Sequence, residues 1–371
     1  FSAAVCATPW TPDCFTVSLT YGNYLSVRLE GPDVGNRRVA ATIIAGHRGK
    51  ECRTPAEMRG LIEVVRQLEQ LGVPITIYPD AEEFLTRSLD REGVVRRMAT
   101  IRKNPAEHPL RETLLPGATL LPYQLDGIAF AVGAGRAILA DDMGLGKTIQ
   151  GVGVAEMLAR EANITRVLVV CPASLKSQWA AEITRFSGRS SQLILGKNSE
   201  RAEQYRSDAF FTICNYEQVL RDQIVIEPVP WDLIILDEGQ RIKNWEAKTS
   251  SVIKALRSPY ALVLSGTPLE NRLDELFSVM EFIDDRRLGA AFRFYNQHRT
   301  TDEKGKVLGY KNLTQLRKRL RPALLRRTRA SVLRDLPPRT TEVIRIPPTD
   351  EQEGYCKEQM RVVSSIVGKK Y

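Results

Sequence analysis

The 371-residue sequence lacks long apolar runs. No run of 18 or more residues is apolar and uncharged, and the first thirty positions hold neither the basic n-region nor the apolar h-region of a secretory signal. Close cysteine pairs are missing too. Cys6, Cys14, Cys52, Cys171, Cys214 and Cys356 are scattered without one Cys-x-x-Cys spacing, so a disulfide framework is not expected at this length. Cys6, Cys14, His47 and Cys52 can be assembled on paper into a zinc site, but such sites ordinarily carry close pairs, and reduced, partly buried thiols are the expectation. An initiating Met is absent as well: the chain begins at Phe1 and stops at Tyr371, which reads as a trimmed chain or a fragment. The sequence is expected to be soluble and intracellular, with no membrane partner; nucleoid, cytoplasm and nucleus are not distinguished.

What is present excludes disorder. Apolar residues make up 43%, enough to give each of two or three domains a core. Lys and Arg number 53 against 44 Asp and Glu, a net charge of +9, and that excess calls for an acidic partner. Phe15-Thr16-Val17-Ser18-Leu19 and Tyr24-Leu25-Ser26-Val27-Arg28-Leu29 alternate like half-exposed antiparallel strands, with Gly22-Asn23 as the turn between them. Leu61, Ile62, Val64, Val65, Leu68 and Leu71 share one helix face ended by Gly72 and Pro74. Residues 1–115 therefore read as a small α+β accessory domain, with a linker from Asn104-Pro105 to Pro116-Gly117.

Beyond residue 118 the texture changes. Ala137–Ala140, Val167–Val170, Phe210–Ile213, Leu233–Leu236 and Ala261–Leu264 are short apolar runs without alternation, each followed by a helix-period stretch. Strands buried on both faces of a parallel sheet have this pattern, which predicts an open α/β domain with its ligands at the carboxyl ends of the strands.

The first such end carries Asp141-Asp142-Met143-Gly144-Leu145-Gly146-Lys147-Thr148, followed by a helix pattern. Small residues let backbone N–H groups turn toward anionic oxygens, Lys147 supplies a mobile cation for the β/γ-phosphates, and the Thr148 hydroxyl suits Mg2+. Asp141 stands where such loops usually begin with Gly. The fourth run ends in Asp237-Glu238. Carboxylates there are costly unless they hold a cation or a proton in transit, so Asp237 is the candidate Mg2+ ligand and Glu238 the residue that orients or deprotonates water; a surface turn with two acids is the competing reading. Ser265-Gly266-Thr267-Pro268 after the fifth run is either a hydroxyl relay or only a turn.

These residues resemble the Swi/Snf-type ATPases of helicase superfamily 2, which translocate on double-stranded DNA. The resemblance runs from Leu121 to about Gln359. Leu121-Pro122-Tyr123-Gln124-Leu125-Asp126-Gly127 is similar to the adenine-recognising element, with Gln124 reading the base, and an acidic residue commonly opens the family's phosphate loop, as Asp141 does here. Ser174 and Trp179 fall in a segment that contacts DNA phosphates in the family; Asn215-Tyr216-Glu217 resembles its Thr-Tyr-Glu, and Asp237-Glu238-Gly239-Gln240 its Asp-Glu-x-His box, with Gln240 for His. Arg241, Lys243, Asn244 and Lys248 resemble the basic stretch after the box, and Leu264-Ser265-Gly266-Thr267-Pro268-Leu269-Glu270-Asn271 matches closely. The last element is Leu324-Leu325-Arg326-Arg327-Thr328-Arg329 with Val332-Leu333 and Leu336-Pro337-Pro338.

The resemblance implies a RecA-like first motor lobe at 116–285 that binds ATP and Mg2+, a basic helical protrusion at 286–345 and, at 346–371, the start of a connection to a second lobe of the same polypeptide, which the chain does not include. It implies DNA contacts at Ser174, Trp179, Asn215, Tyr216, Arg241, Lys243, Asn244, Lys248, Lys311, Arg326 and Arg327, and coupling through Gln240, Ser265 and Thr267. The charge follows the same division: residues 281–345 hold 17 Lys and Arg against 7 Asp and Glu, so the surplus sits in one segment. A solvated helix face explains part of such a run, and a sequence-tolerant grip on a DNA backbone explains the rest. The expected function is an ATP-dependent DNA translocase whose first lobe alone turns over ATP poorly. A non-catalytic ATP-gated DNA-binding scaffold, and a motor on RNA or RNA polymerase, are the alternatives.

Overall fold

Alternation in the first strands builds a four-stranded sheet. β1 (Phe15–Thr20) and β2 (Ser26–Glu30) pair antiparallel with Val17 opposite Leu29; β3 (Glu51–Cys52) joins β2 antiparallel. Helix α1 (Pro55–Gln70) lies in the same core through Met58, Leu61, Val64, Val65 and Leu68. Its start is fixed by a capping box in which Thr54 and Glu57 satisfy each other's backbone N–H groups, and Gly72, with φ of 68°, follows its end. β4 (Ile75–Ile77) runs parallel to β1 and completes the order β3-β2-β1-β4.

This computed structural model describes residues 14–21, 25–31, 43–242, 248–266, 273–302, 307–332 and 347–368, in two compact units, Phe1–Val332 and Leu333–Tyr371. Gly22-Asn23, the expected hairpin turn, and Cys6 lie outside the described residues. Among those residues no cluster of His, Cys, Asp and Glu suited to a metal occurs, and no helix is long and apolar enough to cross a membrane.

Helix α2 (Pro79–Lys103) belongs to two cores at once. At about 100° per residue, Ala81 and Leu85 fall on one side and pack with the small sheet; Val94, Met98 and Ile101 fall on the opposite side and pack with the large one. Leu114, Leu115 and Leu120 are buried in that large core. The stretch expected as a linker is therefore packed, because its leucines fill space beneath the next helix.

The large sheet has seven parallel strands in the order β13 (Leu324–Leu325), β5 (Arg136–Leu139), β10 (Tyr260–Leu264), β9 (Leu233–Leu236), β6 (Val167–Cys171), β8 (Phe211–Asn215) and β7 (Ser191–Leu193). In chain order its elements are helix α3 (Pro122–Ala134), β5 (Arg136–Leu139), α4 (Lys147–Ala162), β6 (Val167–Cys171), α5 (Lys176–Ser187), β7 (Ser191–Leu193), β8 (Phe211–Asn215), α6 (Tyr216–Arg221), β9 (Leu233–Leu236), α7 (Lys248–Ala255) and β10 (Tyr260–Leu264). All five apolar runs are strands. Ala137, Leu139, Val167 and Val169 face one cluster while Ile138, Ala140, Leu168 and Val170 face the other, so both faces are covered and no polar alternation survives. The architecture is α/β and RecA-like.

After β10 come α8 (Leu273–Ile283), α9 (Ala291–His298), a hairpin of β11 (Arg299–Thr301) and β12 (Val307–Tyr310), and α10 (Leu313–Leu320). The chain then returns to the sheet as β13 (Leu324–Leu325), parallel to β5 at its edge. In the second unit, α11 (Asp350–Gly368) opens with the acids Asp350, Glu351 and Glu353.

Candidate active site

The carboxyl ends of β5, β10 and β9 lie side by side and carry the phosphate-loop sequence, Ser265 and Asp237-Glu238 respectively. Gly144 and Gly146 take φ of 83° and 72°, left-handed values that favour glycine. Gly146 caps α4, so Lys147 and Thr148 occupy its first turn. Lys147 Nζ donates to the carbonyls of Asp141 at 2.9 Å and Asp142 at 3.3 Å, and burial lowers the Lys147 pKa against the pull of Glu238, Asp141 and Asp237. Room for this lysine comes partly from Gly266, where a Cβ would stand 3.2 Å from Nζ.

Asp237 is 7% exposed. Its Oδ2 accepts the Trp179 indole N–H at 2.8 Å and its Oδ1 accepts the backbone N–H of Glu238 at 2.9 Å, while burial raises its pKa. Tyr216 donates its hydroxyl to the Asp237 carbonyl at 2.6 Å. Glu238 adopts φ of 52°, uncommon for a residue with a side chain. The Gln240 amide N–H donates to Glu238 Oε2, and Ser265 Oγ donates to Gln240 Oε1 at 3.0 Å. The amide thus joins the acid of one strand end to the hydroxyl of its neighbour. A cleft of about 430 Å³ is lined by Lys147, Thr148, Trp179, Asp237 and Glu238 among others. A carboxylate and a hydroxyl on one cleft are hard oxygen donors of the kind Mg2+ takes.

Several expected contacts fall elsewhere. Trp179 and Tyr216 are buried, 1% and 3% exposed, and hydrogen-bond to Asp237. Helical spacing could have signalled this, since Trp179 and Ile183 are buried four apart on α5, and Tyr216 and Val219 three apart on α6. The Asn215 amide oxygen accepts from Gln218 N at 2.8 Å and caps α6. Gln124 is buried: its Oε1 accepts from Leu121 N at 2.9 Å, and its Nε2 lies 3.5 Å from the Leu145 carbonyl. Arg327 also departs from expectation, since its side chain points inward onto Asp141. The hydrogen-bonding needs of buried acids and helix ends claim these groups first.

Ser174, Arg241 and Lys311 are exposed, as are Arg317, Lys318 and Arg321, while Arg326 is half-buried. Leu316 and Leu320 anchor α10, which leaves Arg317 and Lys318 on its outer face. Met143 is exposed on the phosphate loop and Leu145 is buried beneath it. Lys243, Asn244 and Thr267 lie outside the described residues. Lys248 begins α7, and its side chain is outside them too.

A RecA-like sheet with this loop on its first strand and an acidic pair two strands away has the architecture of a P-loop lobe. The chain belongs to the Swi2/Snf2 ATPase family: the sequence profile of the SNF2-related domain matches residues 123–369. It is 30% identical over 271 residues to the CHD3-type chromatin-remodeling factor PICKLE of Arabidopsis thaliana, covering 64% of this chain and 19% of that protein. It is 31% identical over 339 residues to the TATA-binding protein-associated factor mot1 of Aspergillus fumigatus, covering 81% of this chain and 17% of that protein. Among solved structures, the Sulfolobus solfataricus SWI2/SNF2 ATPase core in complex with dsDNA superposes with a TM-score of 0.53 at 32% identity, over 60% of this chain and 47% of that one. The chain thus spans under a fifth of these curated relatives and about half of the solved core.

Proposed function

We propose that this chain is the nucleotide-binding lobe of an ATP-driven motor that translocates on double-stranded DNA. The observation that carries the reading is Asp237, buried, held by Trp179 and Tyr216, and sharing a cleft with Lys147 and Thr148. Thr148 and Asp237 would hold Mg2+, which when bound neutralises charge on the phosphates. Lys147 binds the β/γ-phosphates, and the loop from Asp141 to Gly146, with its turned backbone, orients them. Glu238 accepts the proton of the attacking water or orients it, and Gln240 and Ser265 carry the state of that acid to the adjoining strand end. Thr267 is proposed to extend this relay and Gln124 to lie toward the adenine side.

DNA is proposed to run over an exposed basic surface that includes Ser174, Arg241, Lys311, Arg317, Lys318 and Arg321. Backbone recognition of this type is sequence-tolerant and weakens steeply with salt. Its family relation to a core solved on dsDNA supports duplex DNA as the polymer. A second lobe of the same polypeptide would supply the remaining catalytic charge, so this lobe alone is expected to turn over ATP slowly, and the whole protein to work inside the cell.

The test is ATP hydrolysis with and without duplex DNA, single strands and duplex RNA, in the full polypeptide and in this lobe. Stimulation by duplex DNA in the full polypeptide, abolished by Lys147→Ala with DNA retention intact, is the expected result. Unchanged turnover in Lys147→Ala overturns the site; stimulation by duplex RNA alone overturns the polymer.

A further inference from the structure

The acid at the start of the phosphate loop is accounted for by a partner 186 residues away. Asp141 is 0% exposed. Arg327 grips it through two side-chain bonds, Nε to Oδ1 at 3.0 Å and Nη2 to Oδ2 at 2.6 Å, and the backbone N–H of Arg327 donates to Oδ1 at 3.1 Å. Arg327 Nη2 also donates to Gln150 Oε1 on α4 at 2.9 Å, and Gln150 Nε2 donates to Asp141 Oδ2 at 3.1 Å. Nη1 reaches the Tyr123 carbonyl, with Asp126 at 3.4 Å. Gly127 leaves the space: a Cβ there would stand 2.1 Å from Gln150 Oε1 and 2.5 Å from Arg327 Nη2.

The contact is not confined to one side chain. Backbone N–H groups of Ile138, Ala140 and Asp142 donate in turn to the carbonyls of Ala323, Leu325 and Arg327 at 2.7, 2.8 and 3.0 Å. The parallel ladder of β13 therefore continues past the strand and into the phosphate loop. Further on, the backbone N–H of Arg329 donates to Asp142 Oδ2 at 3.1 Å, and its Nε donates to the Met143 carbonyl at 2.9 Å. Three residues later, at Val332, the chain leaves its first compact unit.

We infer that Arg327 is a positioning residue for the phosphate loop, and that its clamp on Asp141, extended by Arg329 and Asp142, makes the loop and the exit segment 323–332 one element that responds to nucleotide. Asp141 occupies the usual glycine position because its side chain is the anchor. Whatever nucleotide does to the loop is then transmitted to residues 323–332, and by linkage a constraint on those residues changes nucleotide affinity by the same factor. This rests on the nucleotide-site reading above.

The experiment measures binding of a fluorescent ATP analogue with Mg2+ and, in the same samples, amide hydrogen exchange at residues 138–142 and 323–332. In the wild-type chain, nucleotide should slow exchange in both segments. In Arg327→Gln, affinity should fall of order tenfold and nucleotide should no longer protect 323–332, while exchange in Val167–Cys171 stays native; Arg327→Lys should be intermediate. Asp142→Ala, at the half-buried end of the clamp, keeps the test sound if Arg327→Gln fails to fold: it should lose protection at Arg329 in a folded chain. Wild-type binding without protection of 323–332, or variants with unchanged affinity and protection, overturns the inference alone. Failure of the wild-type chain to bind the analogue overturns the nucleotide site and the inference with it.

Discussion

Two acidic pairs follow strands β5 and β9, separated by β10 in one sheet, and the protein spends them differently. Asp141-Asp142 is neutralised from within: Arg327 covers Asp141 and the Arg329 backbone meets Asp142. Asp237-Glu238 takes hydrogen bonds from Trp179 and Gln240 but no ion-pair partner among the described residues. The first pair is a fastening and the second keeps its charge turned to a cleft. An acid at a strand end is thus classified by what neutralises it, not by where it stands.

The contrast can be broken in four ways, in falling order of effect. Arg327→Ala should cost about 3–5 kcal/mol of folding stability by leaving Asp141 charged and buried, whereas replacing both partners by apolar residues should recover part of that loss; chemical denaturation of the two variants reads the difference. Asp237→Asn should leave the melting temperature near wild type and cut ATP turnover by about a hundredfold or more, the reverse pattern. Trp179→Phe removes the indole N–H that orients Asp237 together with part of a buried ring, and Mg2+-dependent nucleotide binding should weaken about tenfold in a titration, with Mg2+-free binding little changed. The smallest effect belongs to Glu57, an acid that works chiefly by hydrogen bonds: the N–H groups of Thr54 and Arg53 hold its pKa down from 4.5 to about 2. Since the folded value is depressed, its contribution is present above pH 4.5 and is lost as pH falls toward about 2. Acid titration of α1 helicity should show that loss in wild type and not in Glu57→Gln.

Much of this was legible in the residues. The five apolar runs are strands because both faces of the sheet are buried, and Gly144-Leu145-Gly146-Lys147-Thr148 lies between a strand and a helix as its sequence requires. The burial of Trp179 and Tyr216 was not legible from residue type, because a family segment that touches DNA also has an inward face, and type alone does not say which face is taken. The clamp left no local trace: Asp141 and Arg327 are joined by topology, through β13 returning to the sheet edge beside β5. Its one indirect sign is Gly127, a small residue within a helix where two side chains must meet. α2 was invisible as a two-sided helix because its apolar positions never form one stripe.

That helix sets the terms on which the molecule can be divided. With Ala81 and Leu85 in one core and Met98 and Ile101 in the other, a cut between the small sheet and the large one either falls within α2 or leaves the whole helix on one side with apolar residues bared. Proteolysis should therefore find no clean site there, and heating should melt the two sheets together as one cooperative transition.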